Sequence, residues 1–350
     1  MSLRDALVRS FPALERMPPG TYVVGGAIRD LLRGARPADV DIASTTPLET
    51  AHLVSDRVIR LGTGEHLSAW RVVDGGHVYD FAETLDGDIQ ADLARRDFTV
   101  NAMAIDLASG DLLDPHDGQR DLRLRVVRMI DATNFDDDPL RMLKAVRMAV
   151  ALRFTIDAPT LDAIRARAEA LVRIAAERVA YELQIIFSAG AFRTAVDLLH
   201  RTRLDVVLFG RTLDPAAYQA DDVSLAASYA LLVRDPKGFA KRWRWSAALL
   251  HEVTTLHSLI EHHDRIALYD AGENIAVQLP GLLRALRQEA PSIDRDLFEV
   301  RSLLSGDEIA SLTGLPSGPE LGDRKRALLE AQIRGEIRTR AEAEKFVRSS

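Results

Sequence analysis

The sequence predicts an α+β head followed by an all-helical remainder. Three observations carry this. Up to about residue 130, short β-type runs alternate with Gly and Asp turns and a few helical segments. From Pro139 onward, Ala, Leu and Arg recur at helical spacing and β-like runs become scarce. Breaks at Asp157-Ala158-Pro159, 210–215, Asp235-Pro236-Lys237-Gly238 and 315–322 then divide the helical part. The expected divisions are 1–130 for the head, 131–190 for a helical neck and 191–350 for a helical body and tail.

Composition sets the class. The 350 residues, 47% hydrophobic and 28% charged, are those of a globular protein of two or three domains. Cysteine is absent, which excludes a disulfide framework and a thiolate metal site and suits a cytoplasmic setting. The first residues carry early charges of both signs, unlike a signal peptide. No stretch approaches the roughly 20 apolar residues that span a bilayer. The net charge of −7 weighs mildly against a nucleic-acid partner, yet a basic face can sit opposite an acidic one.

The head elements follow in order. Tyr22-Val23-Val24 reads as a strand, Gly25-Gly26 as a tight turn, Ala27 to Arg33 as a short helix, and Gly34 as its C-cap. Such a turn lets backbone N–H groups approach a phosphate at a helix N-terminus. A plain β–α turn explains the same residues about equally well. Asp39-Val40-Asp41-Ile42-Ala43 reads as the next strand. Residues two apart share a face, so Asp39 and Asp41 point together while Val40 and Ile42 face the core. Two adjacent carboxylates repel, and Mg²⁺, which prefers oxygen ligands and takes phosphate oxygens, relieves that cost. Two such ions about 4 Å apart suit activation of a hydroxyl and support of a leaving pyrophosphate. After a strand at Trp70 to Val73, the strand His77 to Phe81 supplies Asp80 as the expected third carboxylate.

Two further constellations follow. Arg95-Arg96-Asp97 precedes a stretch from Phe98 to Leu107 that reads as a strand. Two guanidiniums suit a triphosphate, Asn101 offers an amide to a sugar or phosphate, and Asp97 can hold an arginine in place. Then comes Asp136-Asp137-Asp138-Pro139-Leu140-Arg141, running on to Lys144 and Arg147. Asp138 suits an N-cap and Pro139 the first helical position. Asp138 and Arg141, three apart on a helix, are neighbours. A carboxylate accepts from the amino group of cytosine or adenine while an arginine donates to the adjacent ring acceptor.

Together these residues resemble the tRNA nucleotidyltransferase and poly(A) polymerase family, in its class II branch of the polymerase-beta-like superfamily. The resemblance rests on Gly25-Gly26-Ala27-Ile28-Arg29-Asp30, Asp39-Val40-Asp41, Arg95-Arg96-Asp97-Phe98-Thr99-Val100-Asn101-Ala102, and Asp138-Pro139-Leu140-Arg141. Glu177-Arg178 in the neck is a weaker further match, and all of these run in family order over roughly residues 20–190. The resemblance implies a polymerase-beta-like head with helical neck, body and tail, and Mg²⁺ held by Asp39 and Asp41, with Asp80 as third catalytic carboxylate. It implies a nucleotide bound by Gly25, Gly26, Arg29, Arg96, Asp97, Asn101 and Arg147, and Asp138 with Arg141 as a protein template for the incoming base. The implied substrates are CTP, ATP and the 3′ end of tRNA, with no DNA and no membrane partner.

Some features depart from the family. Lys144 and Met148 stand where Arg and Phe are usual and are expected to tune packing. The stretch from Phe81 to Ala94 is short, whereas a longer loop helps relatives switch from C to A. Addition of CCA, of CC, of A alone, or of a poly(A) tail therefore stays open. Lys237, Lys241, Arg242 and Arg244, interleaved with Phe239, Trp243 and Trp245, form the best candidate RNA surface on the body. Buried rings with snorkelling cations account for that pattern slightly better. His251-Glu252, His257 and His262-His263-Asp264 lack the context of a metal hydrolase. A small-molecule nucleotidyltransferase and a non-catalytic RNA-binding relic are the readings from other classes. The later motifs oppose the first, and retention of both Asp39 and Asp41 opposes the second.

Overall fold

A computed structural model describes residues 2–61 and 69–349. In chain order its first part carries α1 (Leu3–Ser10), β1 (Thr21–Val24), α2 (Gly26–Leu32), β2 (Asp39–Ser44), α3 (Pro47–His52), β3 (Ile59–Leu61), β4 (Ala69–Asp74) and β5 (His77–Glu83). There follow α4 (Ile89–Ala94), β6 (Ala104–Asp106), β7 (Leu112–Leu113), α5 (Gly118–Leu124), β8 (Val126–Val127), α6 (Asn134–Asp137), α7 (Leu140–Leu152), β9 (Thr155–Ile156), α8 (Ala158–Arg167) and α9 (Ala176–Ser188). Beyond α9 the described chain is helical. The expected α+β head with a helical remainder is what the structure shows.

Two compact units form. One comprises residues 1–186 with 198–212, the other 187–197 with 213–350. In the first, seven strands make one sheet in the order β3-β4-β5-β2-β1-β6-β7. Its pairs are antiparallel except β2 with β5, which run parallel. Strand alternation sets the two faces of β2. Val40 and Ile42 are buried among Val23, Ile28, Tyr79 and Phe81, while Asp39 and Asp41 are exposed. The edge-on rings of Phe11 and Tyr79, 5.7 Å apart, close the same core over α1.

One predicted strand is shorter than its composition suggests. Phe98 to Leu107 is rich in β-formers, yet Thr99–Asn101 is a 3₁₀ turn and β6 begins only at Ala104. Side-chain bonds explain the turn. Thr99 Oγ1 donates to the buried Asp121 at 2.8 Å, and Asn101 Nδ2 donates to Asp97 at 3.0 Å. α5 also presses on this turn: a Cβ at Gly118 would lie 2.3 Å from the Thr99 carbonyl oxygen. Such polar bonds offer the backbone an alternative to the ladder.

The start of α7 falls one residue later than expected, at Leu140 rather than Pro139. Asp138 is extended (φ −138°, ψ 93°), and its Oδ1 accepts from Leu140 N at 3.2 Å. It thus performs the capping task foreseen for it.

Candidate active site

The sheet register assembles the acidic group. Asp41 lies opposite Val24 on β1 and beside Asp80 on the parallel β5. Asp39 precedes Asp41 on the same face of β2. Val24 leads directly into Gly25, whose φ of 79° and ψ of −133° lie in territory that L side chains avoid. A Cβ there would sit 3.0 Å from Arg96 Nη1 and 3.5 Å from Asp41 Oδ2. The glycine turn is therefore required, and it brings backbone, acid and guanidinium together.

The electrostatics are those of crowded carboxylates. Protein surrounds much of the Asp41 carboxylate although it still reaches solvent. The lost hydration pushes its pKa up to about 6; Arg96 opposes the rise, and Asp39 and Asp80 add to it. Asp80, the expected third carboxylate, is not open: Arg71 of β4 grips both its oxygens at 2.7 and 2.6 Å. Cross-strand register sets that pairing, since Arg71 stands opposite Asp80.

Around this centre lies an arginine network. Arg29 donates to Asp30 at 2.9 and 3.0 Å and to Asn101 Oδ1 at 2.8 Å. Asn101 in turn donates to Asp97, which also accepts from Phe98 N. Gly26 completes the turn beneath Arg29. Arg96 is held by Asp92 through Nε and Nη2 at 3.2 and 3.0 Å. Asn134 fixes the backbone behind it, donating to the carbonyls of Ala94 and Arg96 at 3.0 and 2.8 Å.

Arg96 also borders a cavity of about 790 Å³. Its walls include Asp92, Arg95, Asp97, Asp138, Arg141 and Lys144. That volume is typical of a small-ligand site. Asp138 and Arg141 share the cavity but not a bond. Asp138 Oδ2 accepts from Arg178 of α9 at 3.0 Å, and Arg141 Nη1 donates to the Arg95 carbonyl at 2.6 Å. Further along both helices, Arg147 pairs with the buried Glu182 at 2.8 Å. Lys144 thus faces the cavity rather than merely packing, whereas Met148 is buried and its sulfur accepts weakly from Asn101 at 3.4 Å.

Comparison with known proteins decides the family. A profile described as the poly A polymerase head domain matches residues 21–128. A second, described as a probable RNA and SrmB-binding site of polymerase A, matches 153–214. The chain is 31% identical to the A-adding tRNA nucleotidyltransferase of Deinococcus radiodurans, over 97% of this chain and 98% of that one. It belongs to the class II tRNA nucleotidyltransferase and poly(A) polymerase family. The CC-adding tRNA nucleotidyltransferase of Geobacter sulfurreducens is also 31% identical, over 94% of this chain and 91% of its own. Among solved structures, the CCA-adding enzyme of Bacillus stearothermophilus in complex with CTP shares the fold with a TM-score of 0.77 at 24% identity. That match covers 100% of this chain and 98% of the other.

Against this family background, the other residues singled out in the sequence fall into place. Phe239 and Trp243 are buried, and Trp245 lies 4.4 Å from Tyr229, ring centre to ring centre. Arg242 stacks over Trp243 at 4.4 Å. These rings form a core in the second unit, with Arg242 riding over it. Two of the histidines serve the helix framework: His257 Nε2 lies 2.6 Å from the Ala230 carbonyl and His263 Nδ1 lies 3.0 Å from that of Leu259, while Asp264 caps the helix Arg265–Ala271. Among the described residues no three His, Cys, Asp or Glu side chains are placed to hold a metal ion. In the head, the hold of Arg71 on Asp80 leaves Asp39 and Asp41 as a pair. No helix of the described residues is long and apolar enough to cross a membrane.

Three residues in this site were not singled out in the sequence: Arg71, Asn134 and Asp92. Arg178 was visible only as part of a weak motif. Each acts on a partner fixed by the fold, and only Asp92, one helical turn before Arg96, carried a local signal.

Proposed function

We propose that this protein is an enzyme that adds C, A or both to the 3′ end of tRNA, taking CTP and ATP as substrates without a nucleic-acid template. One observation carries the reading: Arg96 stands between the Gly25 turn beside Asp41 and the cavity walled by Asp138 and Arg141. A triphosphate on Arg96, Arg29 and the backbone of Gly25 and Gly26 would direct its base toward Asp138 and Arg141. Asp138 would accept from the amino group of cytosine or adenine, and Arg141 would donate to the adjacent ring acceptor. Asp97 and Asn101 would hold Arg29 to its task, and Arg147 would anchor α7 through Glu182.

The donor set fits Mg²⁺. Asp39 and Asp41 offer hard oxygen atoms from one face of β2, and a bound cation would favour the charged form of Asp41, whose pKa burial, with Asp39 and Asp80 adding to it, pushes up to about 6. Bound there, Mg²⁺ would supply charge neutralisation at the phosphates and a lowered pKa for the 3′-hydroxyl. The chain's own residues contribute positioning and fixed charge, which govern phosphoryl transfer. Asp80 would serve as the third carboxylate from within its ion pair with Arg71, adding negative charge beside Asp41 rather than an open ligand. We assign residues 1–130 to catalysis, 131–190 to base recognition and 191–350 to RNA binding, and we place the enzyme in the cytoplasm.

A partial activity is the second reading, because relatives at equal identity are A-adding in one case and CC-adding in another. One assay separates the cases. tRNAs ending at the discriminator base, at C and at CC are incubated with CTP or ATP separately, and product lengths are read on a gel. Inertness toward all three RNAs with Mg²⁺ present would end the proposal. Unbounded A tails would move the protein to poly(A) synthesis.

A further inference from the structure

A second cavity of about 610 Å³ opens in the first unit, where α2, α5 and α7 end. Four arginines line it: Arg33, Arg123, Arg125 and Arg153. No Asp or Glu does. Arg33 is the least available, since its guanidinium lies over the Phe154 ring at 5.7 Å and 3.6 Å from Asp30. The side chains of Arg123, Arg125 and Arg153 have no ion-pair or hydrogen-bond partner among the described residues and are exposed. The floor is apolar, with Leu122 and Phe154 buried.

Three like charges around one concavity repel each other. Arg125 and Arg153 follow the carbonyl ends of α5 and α7 and Arg123 lies in the last turn of α5, where the helices' partial negative charge offsets only part of that cost. In a chain with net charge −7, an acid-free concave site of this kind selects multivalent anions. Guanidiniums match phosphate oxygens with paired donors.

We propose that this cavity binds a small polyphosphorylated ligand carrying two or more phosphate groups, held by Arg123, Arg125 and Arg153. The three guanidiniums gather at one open concavity rather than along a surface stripe, which favours a compact anion over an extended RNA backbone. The site is distinct from the cavity bearing Asp138 and Arg141, with which it shares no residue. It rests on the geometry of this unit and not on the proposed reaction.

Inorganic pyrophosphate, titrated calorimetrically into the full-length protein in EDTA, tests it. Arg96→Ala protein serves as background, to silence the triphosphate cradle. Arg125 and Arg153 both adopt left-handed backbone (φ 56° each), so Arg125→Gly/Arg153→Gly removes charge while relieving strain. We expect the double variant to melt no lower than its parent and to bind pyrophosphate at least tenfold more weakly. In an otherwise wild-type background its extension rate at saturating nucleotide should be unchanged. Undiminished pyrophosphate binding in the double variant overturns the proposal. So does absence of pyrophosphate binding in the Arg96→Ala parent; a shallower salt dependence of tRNA binding in the double variant would then hand the arginines to RNA phosphates.

Discussion

Arg178 Nη2 lies 3.0 Å from Asp138 Oδ2, so α9 holds the carboxylate at the mouth of α7 from outside the helix that carries it. The other oxygen of Asp138 accepts from Leu140 N. The side chain is thereby fixed at both oxygens, each of which keeps a lone pair for a ligand. If Asp138 reads the incoming base, Arg178 sets the angle at which it does so. Arg178→Ala should lower the preference for CTP over UTP about tenfold, within the range of one polar base contact. Arg178→Lys should recover part of it. Steady-state incorporation of each nucleotide checks this, and unchanged selectivity in Arg178→Ala would remove Arg178 from base choice.

Asp39→Ala or Asp41→Ala should lower extension at least ~10³-fold, the scale of losing a charge-stabilising group from a phosphoryl-transfer site. Both side chains are exposed, so the variants should fold. Circular dichroism melts beside primer-extension rates test the pair of statements together. Residual activity within tenfold of wild type would place the chemistry elsewhere.

Gly25→Ala forces a Cβ onto a backbone with φ of 79° and to within 3.0 Å of Arg96 Nη1. Strain at that positive-φ backbone alone costs about 1–3 kcal/mol. Displacement of Arg96 should add a raised KM for the nucleoside triphosphate. Kinetics with varied CTP would show whether KM rises; a normal KM would mean that Arg96 does not reach the phosphates.

Asn134 is buried and ties down the Ala94 and Arg96 carbonyls. Asn134→Ala leaves both carbonyls unmatched and should cost about 1–3 kcal/mol of stability. Urea unfolding gives the number directly, and a loss below measurement error would show that water replaces the amide without cost.

Far from the site, Arg340 and Ser305 hold the Glu308 carboxyl down to about 2, against an ordinary 4.5. A depressed acid stabilises the fold above its unfolded value. That contribution is lost as pH falls from about 4.5 toward 2. The carboxyl resonance of Glu308 should titrate near pH 2, and Arg340→Ala should return it toward 4.5.

The sequence made some of this legible and hid the rest for identifiable reasons. The change of period at Pro139 marked the end of the sheet region because burial imposes different spacings on strands and helices. Asp39 and Asp41 announced their shared face through alternation with Val40 and Ile42. The stretch after Phe98 misled because β-propensity says nothing of Asp121, whose bond to Thr99 bends the chain. The engagement of Asp80 by Arg71 depends on which strands become neighbours, and residue spacing along the chain does not reveal it. Phe239 and Trp243 carried the composition of a stacking surface and the position of a core, and burial decided between them.

The one parallel pairing within the seven-stranded sheet, β2 with β5, has a bearing on biosynthesis. Parallel neighbours cannot be joined by a tight hairpin, and here α3, β3 and β4 intervene. Asp41 and Asp80 therefore meet only after a long segment has left the ribosome and the crossover has closed, a slow, non-local event. A nascent chain still short of residue 83 carries the first acidic residues but cannot yet assemble their surroundings, so chemical competence arrives with the completed head and not before.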